Sequence, residues 1–254
     1  GYDEDADGIT VERAELVREA FKLLEATLGI DFEETTETDR AVTDIFFGDN
    51  RDGANAQTVL TTGGVVDYSL INIQPDWSGG TSTYNDYTLQ TIFHEIGHAL
   101  GLGHAGPYDS QASWGDQRFG LDSWQMSVMS YFSPAENPNV SASRGYVLTP
   151  MPADIIAIQD LYGAPDDRGA DVYGFGGTAG GIYARFGEML DRGQMSVPIL
   201  LTIWDGGGRD MLNLSRDSHD QRIDLRPGAF SDVLGWKGTL GIAYGTAIED
   251  ARGG

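Results

Sequence analysis

Cysteine is missing altogether from this 254-residue chain. That excludes disulfides, and with them every zinc site built on thiolate. Basic residues are scarce: 16 Lys and Arg stand against 39 Asp and Glu, a formal net charge of −23. No Lys/Arg stripe is visible, so a nucleic-acid partner is not expected, because phosphate binding needs clustered positive charge. An acidic chain attracts cations instead, Ca²⁺ foremost. No run of about 18 apolar residues occurs, so no span of a membrane is expected. The opening GYDEDADGIT has neither the basic nor the apolar region of a signal peptide. An export signal, if used, is expected outside this chain or away from its N-terminus.

Glycine is abundant by contrast, 35 residues in 254, roughly double the usual share. Most of the excess follows residue 168, in GFGGTAGG, DGGGRD and the final RGG. This shift in composition marks a domain boundary near 165. Before it, three helices are predicted. Residues 10–28 repeat Leu16, Val17, Ala20, Phe21, Leu24 and Leu28 at helical spacing, with Thr10 as N-cap and Gly29 as terminator. Residues 86–100 carry Leu89, Ile92, Phe93, Ile96 and Leu100 on one stripe. A third helix is predicted over 150–162, with Thr149 as its cap and Pro150 in its first turn. DFEETTET, TDIFFGD and VVDYSLINI read as short strands, and ILLTIW, QRIDL and LGIAY as β-like runs beyond the boundary. Residues 101–148 show little regular pattern, and a loop region of that length is usually functional.

Three of the four histidines sit in HEIGHALGLGH, residues 94–104. His94 and His98, four apart on a helix, project from one side, away from the apolar stripe. Two imidazoles so placed can reach one zinc ion. Glu95 lies where a carboxylate can reach a zinc-bound water without ligating the metal. On a straight helix a ligand ten residues on would lie about 15 Å from the first. Gly101 allows the sharp turn that brings His104 back. Three neutral imidazoles leave one position open for water, the arrangement of a catalytic site.

H-E-x-x-H-x-x-G-x-x-H resembles the signature of the metzincin zinc endopeptidases. SVMSYF, residues 127–132, is similar to the family's methionine turn, with Met129 beneath the metal and Tyr131 resembling the tyrosine that serralysins and astacins place near zinc. Without that role, Met129 is a core methionine and Tyr131 a packed aromatic. Ala105 after the third histidine and the absence of cysteine favour serralysins over astacins, and the tyrosine separates the chain from matrixins. DIIAIQDLYGA (154–164), VYGF (172–175), WDGGGRD (204–210), QRIDL, FSDVLGWKG (230–238) and AIED (247–250) extend the serralysin resemblance over most of the chain.

The resemblance implies an α+β metzincin fold: a twisted, mostly parallel sheet with two helices to about residue 101, a smaller irregular half with one helix over 102–165, and a cleft between them. Residues 166–254 would form the β-rich, calcium-binding start of an RTX-like β-roll. One calcium would join Asp205, Gly207 and Asp210 to Asp167, Gly169 and Asp171, and a second would join Gly208 and Asp210 to Ala247 and Glu249. Without metal, the same segments are Gly/Asp-rich turns. The implied activity is broad-specificity hydrolysis of extended protein or peptide substrates. Glu95 would be the general base, and Tyr131 an oxyanion stabiliser able to ligate zinc at rest. Leu70, Ile71, Asn72 and Ile73 would form the edge strand that pairs with substrate, or else an interior strand. The family reading further implies a secreted monomer, a proteinaceous inhibitor among its partners, and a pro-segment and C-terminal export signal outside this chain. Two other readings share the residues: a calcium-binding or adhesion module with a vestigial zinc site, and a zinc hydrolase acting on a non-peptide substrate.

Overall fold

A computed structural model describes residues 8–165 and 169–254 of the protein. Helix α1 (Val11–Thr27) forms where Leu16, Val17, Ala20, Leu23 and Leu24 line one face, and all five are buried. Thr10 holds the N-cap position without a side-chain cap bond, and Leu28 ends the helix in extended conformation. The next amide, Gly29, bonds to the Gly163 carbonyl at 3.0 Å, so a distant segment supports this terminus.

Strands β1 (Ile45–Gly48), β2 (Ala54–Leu60) and β3 (Val66–Ile73) form a sheet in the order β1-β3-β2. Its composition departs from expectation in three ways. DFEETTET forms no strand, because almost every residue from 31 to 38 is exposed and there is no apolar face to bury. The sheet is mixed rather than mostly parallel: β1 runs parallel to β3, but β2 returns antiparallel to it through the tight turn at 61–65. Finally, Leu70–Ile73 is not an edge. Leu70, Ile71 and Asn72 pair with Phe46, Phe47 and Gly48 on one side and with Gln57, Ala56 and Asn55 on the other, while Ile73 pairs with Ala54. Five consecutive residues of β3, Ser69 to Ile73, are buried, as expected of a strand covered on both sides. β2 is an edge strand of this sheet.

Helix α2 (Tyr87–Ala99) follows, capped by Asp86, whose carboxylate accepts from the Thr88 amide at 2.7 Å. Helix α3 (Pro152–Tyr162) begins later than 150. Its cap position is Met151, and the Asp154 carboxylate accepts from the Met151 amide at 2.9 Å, serving the terminus in place of Thr149. The Thr149 hydroxyl instead accepts from the Thr202 amide.

Beyond residue 168 the chain is not only β. Short strands β5 (Val172–Gly174), β7 (Met211–Asn213) and β10 (Asp250–Arg252) stack parallel in the order β10-β7-β5. A four-stranded sheet runs β4-β6-β9-β8, taking β4 (Tyr146–Val147) from before the boundary and joining it to β6 (Ile199–Ile203), β9 (Trp236–Ile242) and β8 (Phe230–Val233). QRIDL contributes only an Arg222–Asp232 bridge. Helix α4 (Gly181–Asp191) has no counterpart in the sequence reading. Its Ile182, Tyr183, Phe186 and Leu190 recur at helical spacing and are buried. Gly187, which weakens the helix in isolation, is required by packing, since a Cβ there would lie 2.7 Å from the Gly174 carbonyl. One apolar cluster runs from α1 through β3, α2 and α3 into α4, β6, β7 and β9. The whole is a mixed α+β structure. Among the described residues, no helix is long and apolar enough to cross a membrane.

Candidate active site and calcium cluster

Helix α2 buries Leu89, Ile92, Phe93 and Ile96 in the core and leaves His94 and His98 half-buried. Past its end, Gly101 adopts φ +97°, in the left-handed region that favours glycine. The Leu102 amide then bonds back to Gly97 at 2.9 Å, and the chain returns to bring His104 beside His98. The same turn has a second effect. It places the Leu102 carbonyl 2.8 Å from His98 Nδ1.

Each imidazole is held in this way. His94 Nδ1 lies 2.8 Å from the Val128 carbonyl, and His104 Nδ1 lies 2.9 Å from the Tyr108 carbonyl. A carbonyl can only accept, so each Nδ1 carries the proton and each Nε2 presents a lone pair. Burial pulls the His94 pKa down to about 3 and lowers that of His98, so both rings are neutral. His98 Nε2 and His104 Nε2 stand 3.0 Å apart, and one ligand atom from each of the three histidines lies within 4.8 Å of the others. Converging lone pairs repel unless a cation joins them. The donor set, three imidazoles with their outer nitrogens fixed by carbonyls, suits zinc.

Glu95 is 4 % exposed, and its Oε2 is buried without a hydrogen-bond partner among the described residues. Burial raises its carboxyl to about 8. Met129 packs under α2, and its carbonyl accepts from the Ala105 amide at 3.2 Å. A Cβ on Gly97 would come within 2.6 Å of Met129 Sδ. Gly97→Ala is therefore expected to lower stability by about 1–2 kcal/mol, the strain of overpacking less the gain in helix propensity, as read from urea denaturation. Tyr131 lies with its ring centroid 4.6 Å from that of His104 and 6.0 Å from that of His94. The Ser110 amide reaches its hydroxyl, whose pKa burial raises.

Several supporting groups were not foreseen. Asp154 accepts from Ser127 Oγ at 2.6 Å and from the Val128 amide at 2.7 Å, bracing the residue whose carbonyl holds His94. Burial raises its carboxyl to about 6. Thr58, on the edge strand β2, donates to the His98 carbonyl at 3.1 Å. These partners are distant in sequence and mostly backbone atoms, so no spacing pattern announces them.

The second cluster lies where β5, β7 and the 205–210 loop meet. Carboxylate oxygens of Asp171, Asp205 and Asp210 fall within 4.8 Å of one another. Asp210 is fully buried, and its Oδ2 has no hydrogen-bond partner among the described residues. Its Oδ1 accepts from the Asp171 amide at 2.7 Å, and its own amide donates to Glu249 at 2.8 Å. The Gly207 amide bonds to Asp205 Oδ1, and Tyr173 donates to Asp205 Oδ2 at 2.7 Å. Gly208 has φ +135° and is glycine by necessity, because a Cβ would run into the Gly169 carbonyl. Ala247 is exposed and follows Thr246, whose hydroxyl accepts from the Asp205 amide. Asp167 lies outside the described residues. Leu70–Ile73 belongs to neither cluster. Asn72 faces the loop before β2, donating to the Arg51 and Gly53 carbonyls at 3.0 Å.

Residues 166–254 match the family model described as Peptidase M10 serralysin C terminal, and residues 76–160 match Peptidase M66. Serralysin C of Dickeya chrysanthemi is 41% identical over 175 residues, covering 66% of this chain and 35% of its own length. This chain is a relative of the serralysins. Metallopeptidase AprA of Pseudomonas marginalis is 39% identical over 183 residues, 68% of the chain and 37% of its own. Serralysin of Photorhabdus sp. (strain Az29) is 34% identical over 235 residues, 89% of the chain and 47% of its own. This serralysin relative thus spans between about a third and a half of the length of the curated proteins it matches.

Proposed function

We propose that this serralysin relative is a zinc-dependent endopeptidase of metzincin fold, secreted, acting on extended protein substrates with broad specificity. The observation that carries the reading is the convergence of three Nε2 lone pairs, each fixed from behind by a carbonyl, beside a buried glutamate. His94, His98 and His104 would hold the metal. Zinc bound there would supply Lewis acidity toward the scissile carbonyl and a water acidic enough to attack it. Glu95 would serve as the general base toward the attacking water and would deliver its proton to the leaving amine. Tyr131 would be able to ligate the metal at rest and would donate a hydrogen bond to the scissile carbonyl oxygen as charge develops on it. Met129 forms the apolar floor.

Substrate binding passes from Leu70–Ile73 to β2. β2 lies at the end of its sheet, and the Thr58 link to the His98 carbonyl puts this edge strand next to the histidines. An extended peptide adding to that edge is recognised by its backbone, which gives broad tolerance of side chains. The catalytic part is 1–165. Residues 166–254 form the calcium-binding part, with one ion among Asp167, Gly169, Asp171, Asp205, Gly207 and Asp210 and a second among Gly208, Asp210, Ala247 and Glu249. The proposal includes a proteinaceous inhibitor as a partner that competes for the cleft.

Anomalous diffraction at the zinc edge, combined with casein hydrolysis with and without a chelator, tests the reading. Metal on the three Nε2 atoms and chelator-sensitive hydrolysis are expected. Metal there without hydrolysis of any peptide would favour a vestigial site. Tyr131→Phe is expected to lower kcat about 100-fold, the scale of one lost oxyanion donor, with KM changed less than about twofold, in steady-state assays on a fluorogenic peptide.

A further inference from the structure

Tyr108 lies in the loop after His104 and is 5 % exposed. It touches the site at three points. Its carbonyl accepts from His104 Nδ1 at 2.9 Å. Its ring stands 4.7 Å from the Tyr131 ring at an interplanar angle of 34°. Its hydroxyl oxygen accepts from the Tyr131 amide at 3.4 Å.

That hydroxyl is itself fixed. It donates to Asp122, 3.0 Å from Oδ1 and 3.2 Å from Oδ2. Asp122 is 4 % exposed and also accepts from Ser130 Oγ at 2.6 Å. Ser130 Oγ in turn accepts from the Phe132 amide at 3.1 Å. One buried carboxylate therefore orients two hydroxyls, and these hold the amides of Tyr131 and of the residue after it. Asp122 is anchored by its own backbone, whose carbonyl accepts from Asn137 Nδ2 at 3.0 Å. A phenylalanine at 108 would keep the ring contact and the carbonyl. It would remove one donor from a buried carboxylate and the acceptor from the Tyr131 amide, and such losses are costly in a buried network.

We propose that Tyr108, braced by Asp122, is the positioning residue that sets where the Tyr131 phenol stands relative to the three histidines. The proposal rests on the reading of Tyr131 as a metal-facing residue given above. Through its carbonyl Tyr108 fixes the tautomer of His104, and through its hydroxyl and ring it fixes the pivot and one flank of Tyr131. The third histidine and the tyrosine are thus aligned by one residue, the histidine through its carbonyl and the tyrosine through its side chain, so the phenol turns about a held backbone rather than moving with a loose loop.

The test replaces the metal with copper(II) in the whole chain, because a phenolate on copper gives a ligand-to-metal charge-transfer band. Wild type should show the band, and Tyr131→Phe should abolish it. Tyr108→Phe should keep one bound copper while shifting or weakening the band. In the zinc form it should lower kcat roughly tenfold, a coupling usual for contacting residues. In the Tyr131→Phe background, Tyr108→Phe should change kcat less than about twofold, because its effect passes through Tyr131. A merely structural role would lower both backgrounds alike and leave the band in place, and that result overturns the proposal. Should Tyr108→Phe not fold, Asp122→Asn keeps one acceptor oxygen and carries the same expectations and the same refutation. A copper-loaded wild type lacking any Tyr131-dependent band removes the reading of Tyr131 itself, and this proposal with it.

Discussion

Glu95→Gln is expected to lower kcat on a peptide substrate by roughly 10²–10⁴-fold, the usual worth of a positioned general base, while zinc content stays at one per chain. The amide cannot take a proton from water, yet it is close to isosteric with the carboxyl and leaves His94 and His98 on the helix undisturbed. The same change should have the opposite effect on the metal-free fold at alkaline pH. In the folded chain burial raises the Glu95 carboxyl from 4.5 to about 8. Between those values the folded state binds more protons than the unfolded one, so this group's contribution to stability falls as pH rises through the window. Glutamine is neutral throughout. Metal-free Glu95→Gln should therefore melt higher than metal-free wild type at pH 9 and nearly alike at pH 4. Thermal melts of the chelated proteins at both pH values, together with metal analysis and kinetics, read all three effects. A fully active Glu95→Gln enzyme would remove Glu95 as the base.

Calcium chelation is the second large effect. Asp171, Asp205 and Asp210 crowd their carboxylates together, and Asp210 keeps a buried oxygen without a partner among the described residues. Its pKa is raised by burial first, then by Asp205, Glu249 and Asp171. Without a cation the folded state holds the proton more tightly than the unfolded one, so the calcium-free protein loses stability as pH rises above the ordinary value of 3.8. An ion bound only by the folded form adds about 2.7 kcal/mol at a hundredfold excess over Kd. That corresponds to a melting rise of roughly 5–10 °C for a chain of this size. We expect a drop of that order on adding EGTA under conditions that retain zinc. Asp210→Asn should nearly abolish the calcium response and melt above wild type in EGTA, because the uncompensated charge has gone. An unchanged wild-type melting temperature in EGTA would remove calcium from these loops.

What could be read in advance was local. α2, its two histidines, the turn at Gly101 and the return of His104 all follow from spacing within a few residues. The order of strands does not. Leu70–Ile73 is the most apolar part of its strand, and the burial that makes it conspicuous also places it in the sheet interior. The edge falls to Ala54–Leu60, whose ANAQTVL text is too polar to stand out and whose residues are all partly or fully exposed. α4 was hidden for a related reason. Its Gly187, which weakens a helix in isolation, is placed for contact with Gly174 of β5. The supporting carbonyls of Leu102, Tyr108 and Val128 are invisible in principle, because every residue carries one.

The stretch from His98 to His104 acts as a ruler. One length of chain both returns the last imidazole and sets the Leu102 oxygen behind the middle one. Lengthening or shortening it by a single residue would spoil two alignments together, with no way to repair one without the other. Variation among related chains should therefore collect in the largely exposed stretch between Tyr108 and Asp122, where insertions cost little, and leave this interval untouched.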